Sequence, residues 1–321
     1  MEPSERPIEI FAPFEEAWEV TRRVLFQPFD FVKWLVIGFA GWLATFFSGG
    51  FFNFRGFRNG DWSWKTQTHG KAISFDHAPP WAIPVVIGLG LVVLVLVVLV
   101  LWLNSRGRFI FTDCIVRNRA AIVQPWREYH AEGNSYFLTQ LVVTFSSMVV
   151  FGGLALLFAL SWRGRNPALP LAVIILIGVV LLLIALVVLL ILKFLVPVMY
   201  RQRCGAMVAF RAIWGLIAGY PVPFLLFALF YFLLCIAVGM FACLATCLTC
   251  CLTILPYVGT VILLPLVMFL FSYPLCFIRQ FGDSYDVWAV VRPAAPPPLA
   301  PPGLPPGIPP VQGNPPRPPI A

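Results

Sequence analysis

Long uncharged stretches alternate along this chain with short segments that mix charged and apolar residues, and the alternation occurs three times. In each mixed segment a large apolar residue precedes a tryptophan by four positions. An aromatic residue ten or eleven positions further on opens the next uncharged stretch; the copies are Phe14/Trp18/Phe29, Ile122/Trp126/Phe137 and Phe210/Trp214/Phe224. A spacing of four places the first pair on one helical face. Tryptophan favours the depth at which a bilayer meets water, so Trp18, Trp126 and Trp214 are read as interfacial anchors. Each copy predicts a short helix lying on a membrane and feeding a helix that crosses it.

About 20 apolar residues cross a bilayer as a helix. The uncharged stretches predict six spans, near 31–52, 81–103, 137–160, 169–192, 221–244 and 254–276. Leu169 to Leu192 holds no charge, and Pro221 to Cys276 is one uncharged run long enough for a hairpin, with Pro256 and Gly259 marking its turn. The expectation is an all-α integral membrane protein in which an interfacial helix plus two spans is repeated three times. Residues 1–30 form an N-terminal segment with the first interfacial helix, 31–290 the six-helix domain and 291–321 a proline-rich tail.

Composition agrees: 60% of residues are hydrophobic and 11% charged, where soluble domains carry roughly 25% charged residues. Charges within the first thirty residues, from Glu2 to Arg23, exclude the apolar core of a cleavable signal peptide. The first span is therefore expected to act as the insertion signal. Lysine and arginine divide 16 against 6 between the two sides of the six spans. By the positive-inside rule both termini are expected in the cytoplasm. The net charge of +8 is then a topology signal and an attraction to anionic lipid. No basic face with stacking aromatics points to nucleic acid.

Two of the mixed segments share a further pattern. Ile115, Val116, Arg117, Asn118, Arg119 and Met199, Tyr200, Arg201, Gln202, Arg203 both read apolar, apolar, Arg, polar, Arg. Each arginine pair follows a span, where cations complement the helix dipole and guanidinium forks suit phosphate. Arg117, Arg119, Arg201 and Arg203 are thus candidate contacts for lipid headgroups. Each such cation is worth about 1 kcal/mol near a negative leaflet.

The stretch RGRFIFTDCIVRNRAAIVQPWREYHAEGNSYF from Arg106 to Phe137, and RQFGDSYDVW from Arg279 to Trp288, resemble an uncharacterised family of bacterial polytopic inner-membrane proteins. The unit VMYRQRCGAMVAFRAIWGLIAGYPVPFLLFAL is more distantly similar to the membrane domain that accompanies some glycerophosphodiester phosphodiesterases. The resemblance implies a helical membrane protein linked to lipids. It implies no catalytic residue.

Reactive constellations are scarce. His69, Asp76 and His77 share a polar, glycine-rich loop and lack the converging donors of a metal site. His130, in Glu128 to Glu132, fits the wet face of an interfacial helix as readily as an acid/base role. No nucleophile elbow, phosphate loop or zinc-binding histidine pair occurs, so no catalytic residue, metal or cofactor is assigned. Gly215 and Gly219 fit a helix-packing motif. Cys243, Cys247, Cys250 and Cys251 share roughly one helical face at the external end of the fifth span. They are read as small packing residues or, in an oxidising compartment, as a disulfide pair.

From Pro293 to Ala321 there are fourteen prolines in 29 residues. Such a tail samples extended polyproline II and serves either as a disordered tether or as a protein ligand for an aromatic-lined groove. Two functions compete: a non-enzymatic scaffold or accessory component that engages membrane lipids, and a transporter or channel for a small neutral or amphipathic solute. The acids nearest the spans, Asp30 and Asp283, are expected at or beyond their ends, which argues against ion coupling. An enzyme ranks third.

Overall fold

Helix formation does not stop where the apolar stretches stop. The structure, a computed structural model, describes residues 8–45, 82–162, 168–249 and 255–292, and these residues run through ten α-helices. They are α1 (Ala12–Phe26), α2 (Phe31–Thr45), α3 (Ala82–Val116), α4 (Val123–Glu128), α5 (His130–Trp162), α6 (Ala168–Gln202), α7 (Ala206–Gly219), α8 (Pro221–Leu248), α9 (Pro256–Ile262) and α10 (Leu264–Ile278). Short 3-10 turns follow at Arg279–Phe281 and Val287–Val290, and no strand occurs among the described residues. The all-α class expected from hydropathy is the class observed.

Among the described residues, five helical segments are long and apolar enough to cross a membrane: Pro84–Val116, His130–Phe158, Leu171–Gln202, Pro221–Leu248 and Leu264–Phe281. The expected span at 31–52 is described only as the 15-residue α2; its remainder lies outside the described residues. Three long helices also overrun their expected ends, α3 beyond 103, α6 beyond 192, and α5 starting before 137. At 1.5 Å per residue the 35 residues of α3 extend about 50 Å, against about 30 Å of hydrocarbon. The excess is accounted for by packing. From Leu101 onward α3 is largely buried, as is α6 from Ile191 to Tyr200.

These extensions assemble one core. The ends of α3, α6 and α10 pack against one another, burying Phe111, Ile115, Phe194, Met199, Phe277 and Ile278. Phe224 and Phe227 enter the same aromatic cluster from the start of α8, where the Phe227 and Phe277 rings lie 4.4 Å apart. The three short tryptophan-bearing helices brace the outside of this core: α4 packs on α3, α7 on α6, and α1 on α10. Residues near both ends of the chain are thereby joined. The Glu9 backbone and the Gln280 side-chain amide exchange two hydrogen bonds of 2.8 Å, and Arg279 pairs with Glu16 of α1.

Local chemistry explains where elements stop. Asn118 and Arg203 adopt positive φ of 50° and 51° shortly after α3 and α6, the left-handed turn that commonly ends a helix, and Gly282 after α10 has φ 123° and ψ 170°, a conformation that essentially only glycine adopts. The run expected as the last span breaks at Leu263 because Pro265 has no N–H to offer the Val261 carbonyl. That carbonyl accepts instead from the Trp34 indole at 3.0 Å, which ties α9 to α2. Pro256 heads α9 and Gly259 lies inside it, so these two residues are helix and do not mark the expected turn. At the far side of α2, the Asn104 amide of α3 donates to the Leu43 and Ala44 carbonyls at 3.1 and 2.8 Å. This contact is close because Gly107 presents no side chain: a Cβ there would sit 2.6 Å from the Leu43 backbone.

Candidate functional site

The arginines picked out as headgroup contacts gather at one end of the core. Their centre is Asp113 of α3, which is 0% exposed. Arg117 pairs with Asp113 at 3.1 Å and with Glu128 at 3.0 Å. Arg119 reaches Asp113 at 2.9 Å and also donates to Gln124 at 2.8 Å. The Tyr200 hydroxyl of α6 donates to the other Asp113 oxygen at 2.9 Å. Arg203 pairs with Glu128 and, at 3.3 Å, with Glu132, and its guanidinium lies 3.9 Å from the centre of the Tyr129 ring. Tyr129 stacks at 4.8 Å on Tyr200, and burial holds its phenol above the ordinary range. Arg201 donates from Nε to the Asp283 carbonyl at 3.2 Å. Each of the four arginines thus has a protein partner: Arg117, Arg119 and Arg203 hold carboxylates, which a guanidinium fork matches as well as it matches phosphate, and Arg201 holds a backbone carbonyl.

A second basic group joins the long helices to the bracing ones. Arg106 sits 4.9 Å from the Trp102 ring and 5.2 Å from the Trp126 ring, and donates to the Trp126 carbonyl and to Asn134. Arg279, paired with Glu16, also faces Asp286 and the Trp288 ring. Asp286, nearly fully buried, caps the final 3-10 turn and holds Arg292 at 2.5 Å. The RQFGDSYDVW segment is therefore a stitched end-piece of the core.

Between α3, α6, α8 and α10 lies a cavity of about 30 Å³ lined by Arg108, Lys193 and Tyr231 with apolar walls from α10. Lys193 donates to the Tyr231 hydroxyl at 3.1 Å. Arg108 donates to Asn104 and to Tyr136 at 3.3 and 2.9 Å. The cavity sits where the apolar stretches of α3 and α6 give way to charge.

Trp18 and Trp214 are each 53% exposed, on α1 and α7, and Trp126 is half-buried on α4. Cys243 and Cys247 are exposed free thiols on α8, while Cys250 and Cys251 lie outside the described residues, as do His69, Asp76 and His77. His130 opens α5 with Nδ1 2.9 Å from the Arg127 carbonyl. Gly215 and Gly219 face open space, so they mark no close helix packing. Burial raises the pKa of the Cys204 thiol, which disfavours the thiolate. Among the described residues no group of three metal-binding side chains occurs.

Sequence reasoning missed Asp113, Arg108 and Lys193. All three fall among charges that hydropathy assigns to loops, whereas helices α3 and α6 continue through them. Asp113 lies on the helix of the second expected span but ten residues beyond its expected end at 103, in the part of α3 that packs in the core. A signal was available for Asp113, which is four residues before Arg117, a helical spacing.

A family of unknown function, DUF7544, matches residues 9–291. The chain belongs to this family. The DUF7544 match begins at Glu9, the residue that clasps Gln280, and so takes in every described helix of the core. No curated protein and no solved structure matches the chain, so no relative stands behind the likeness to the phosphodiesterase membrane domain. No enzyme family and no catalytic group is identified.

Proposed function

We propose that this protein is a non-enzymatic, lipid-associated component of the bacterial inner membrane, with both termini in the cytoplasm. The observation that carries the reading is how little the long helices bury against one another. In their most apolar windows, 6% of residues are buried in Pro84–Val116, 0% in His130–Phe158, 11% in Leu171–Gln202 and 17% in Pro221–Leu248, against 67% in Leu264–Phe281. A single-chain transporter needs its spans to enclose a path. Here four long apolar helices project from a packed end with their sides uncovered, which suits embedding in lipid.

The repeat belongs to the same reading. Each short helix packs on the helix that ends the unit before it, and α1 packs on α10, which supports three units of interfacial helix and two spans closed in a ring. The distant likeness to the phosphodiesterase membrane domain fits association with lipid, and the proline-rich tail fits a tether or a protein ligand.

Two measurements test the proposal. Single cysteines at Ser63 and Gln312, in a background lacking the native cysteines, are expected to label from opposite sides of intact cells; labelling of both from one side overturns the topology. Native mass spectrometry from mild detergent is expected to return the protein with retained anionic phospholipid. Recovery free of lipid, together with solute flux across reconstituted vesicles, favours the transporter.

A further inference from the structure

We propose, on the basis of the lipid-associated reading, that Arg106 seats the phosphate of an anionic phospholipid whose acyl chains lie along the uncovered sides of α3 and α5. Arg106 is the first charge after the apolar run of α3, since Ala82 to Ser105 carries none. It therefore stands where hydrocarbon ends. Its guanidinium lies against two tryptophan rings, Trp102 one turn deeper on α3 and Trp126 on α4, and tryptophan favours headgroup depth. Unlike Arg117, Arg119 and Arg203, it holds no carboxylate. Among the described residues its partners are the Trp126 carbonyl at 3.2 Å, the Asn134 side-chain oxygen at 2.9 Å and the two rings. Nε is buried without an acceptor, and each terminal nitrogen retains a second N–H beyond the one it donates. The side chain thus keeps its charge and two donors for an acceptor from outside the chain.

Position selects lipid over a soluble anion. Trp102, Leu99 and Val95 continue the Arg106 face of α3 at helical spacing, and Leu138 and Val142 continue the Asn134 face of α5. Val95, Leu99, Leu138 and Val142 are all exposed. The hydrogen bond between Arg106 and Asn134 therefore joins two uncovered apolar stripes at their charged end, an arrangement that places acyl chains beside a bound phosphate. Charge selects the headgroup. An anionic lipid neutralises Arg106, whereas a zwitterionic one adds no net charge and brings an ammonium of its own.

The test uses the full chain in mild detergent, titrated with phosphatidylglycerol or phosphatidylcholine and read by native mass spectrometry. The parent is expected to prefer phosphatidylglycerol. Asn134→Asp keeps the acceptor that Arg106 already uses and supplies a carboxylate from within the chain, so it preserves the fold while competing with phosphate. It is expected to weaken phosphatidylglycerol binding roughly tenfold, the loss of one charged hydrogen bond, with a melting profile no lower than that of the parent. Arg22→Gln, on the exposed face of α1, lowers the net charge by the same amount and leaves binding unchanged. Parent-like binding by Asn134→Asp overturns the site while lipid association stands, and so does an equal loss in Arg22→Gln. A parent that binds the two lipids equally overturns the anionic seat, whereas one that binds neither overturns the lipid-associated reading itself. Displacement of phosphatidylglycerol by millimolar inorganic phosphate assigns Arg106 to a free anion and overturns the lipid assignment.

Discussion

Replacing Asp113 with asparagine lowers the stability of the folded protein by about 3–5 kcal/mol, the usual cost of removing one partner from a buried ion pair. The carboxylate is fully buried and holds Arg117, Arg119 and the Tyr200 hydroxyl. Asparagine keeps the shape but not the charge, so Arg119 loses its carboxylate while still partly desolvated and Arg117 is left with Glu128. Because Tyr200 belongs to α6 and Arg119 leads into α4, the defect spreads to the junction of three helices. Unfolding by SDS titration in mixed micelles measures the loss, and trypsin cleavage after Arg119 should appear at lower SDS. Adding Arg119→Met to Asp113→Asn should recover part of the stability, since the second change removes one stranded charge. A single Asp113→Asn variant within about 0.5 kcal/mol of the parent, the spread of ordinary surface changes, contradicts a central role for this carboxylate.

Gly107→Ala is expected to cost about 1–3 kcal/mol, and Gly107→Leu more, through overpacking between α2 and α3. The new Cβ would sit 2.6 Å from the Leu43 carbonyl carbon and 2.8 Å from the Ala44 nitrogen. These are backbone atoms, so relief requires the helices to separate. Separation also pulls Asn104 away from the two carbonyls it caps. Gly88, on the same helix with nothing within 4 Å, provides the control. Gly88→Ala should be neutral or slightly stabilising, as glycine costs roughly 1 kcal/mol relative to alanine in a helix. Equal effects of the two substitutions in the same SDS titration show that helix propensity, not close packing, governs both.

Much of the architecture was legible because a bilayer demands a length of apolar helix, and the uncharged run from Leu169 to Leu192 meets that demand by itself. The short helices were legible for a related reason, as tryptophan at a four-residue spacing from an apolar partner leaves few alternatives. The helix ends were not. Charge after an apolar stretch signals exit from hydrocarbon, but α3 and α6 leave it and continue as helices, because another helix end waits to bury them.

The candidate site shows the same division. Arg117, Arg119, Arg201 and Arg203 stand out in the sequence as phosphate-seeking forks, and the sequence holds no information on whether a carboxylate will reach them first. Asp113 lies within one helical turn of Arg117, yet its pairing with Tyr200 spans 87 positions. Arg108 and Lys193 share a cavity only because α3 and α6 cross at that level. Sequence alone determined that this is a helical membrane chain with charge concentrated at one end of its spans, since hydrophobic length and charge sign act locally along a helix. Tertiary structure decided which charges neutralise each other, because ion pairing depends on distances of a few ångströms between residues far apart in the chain.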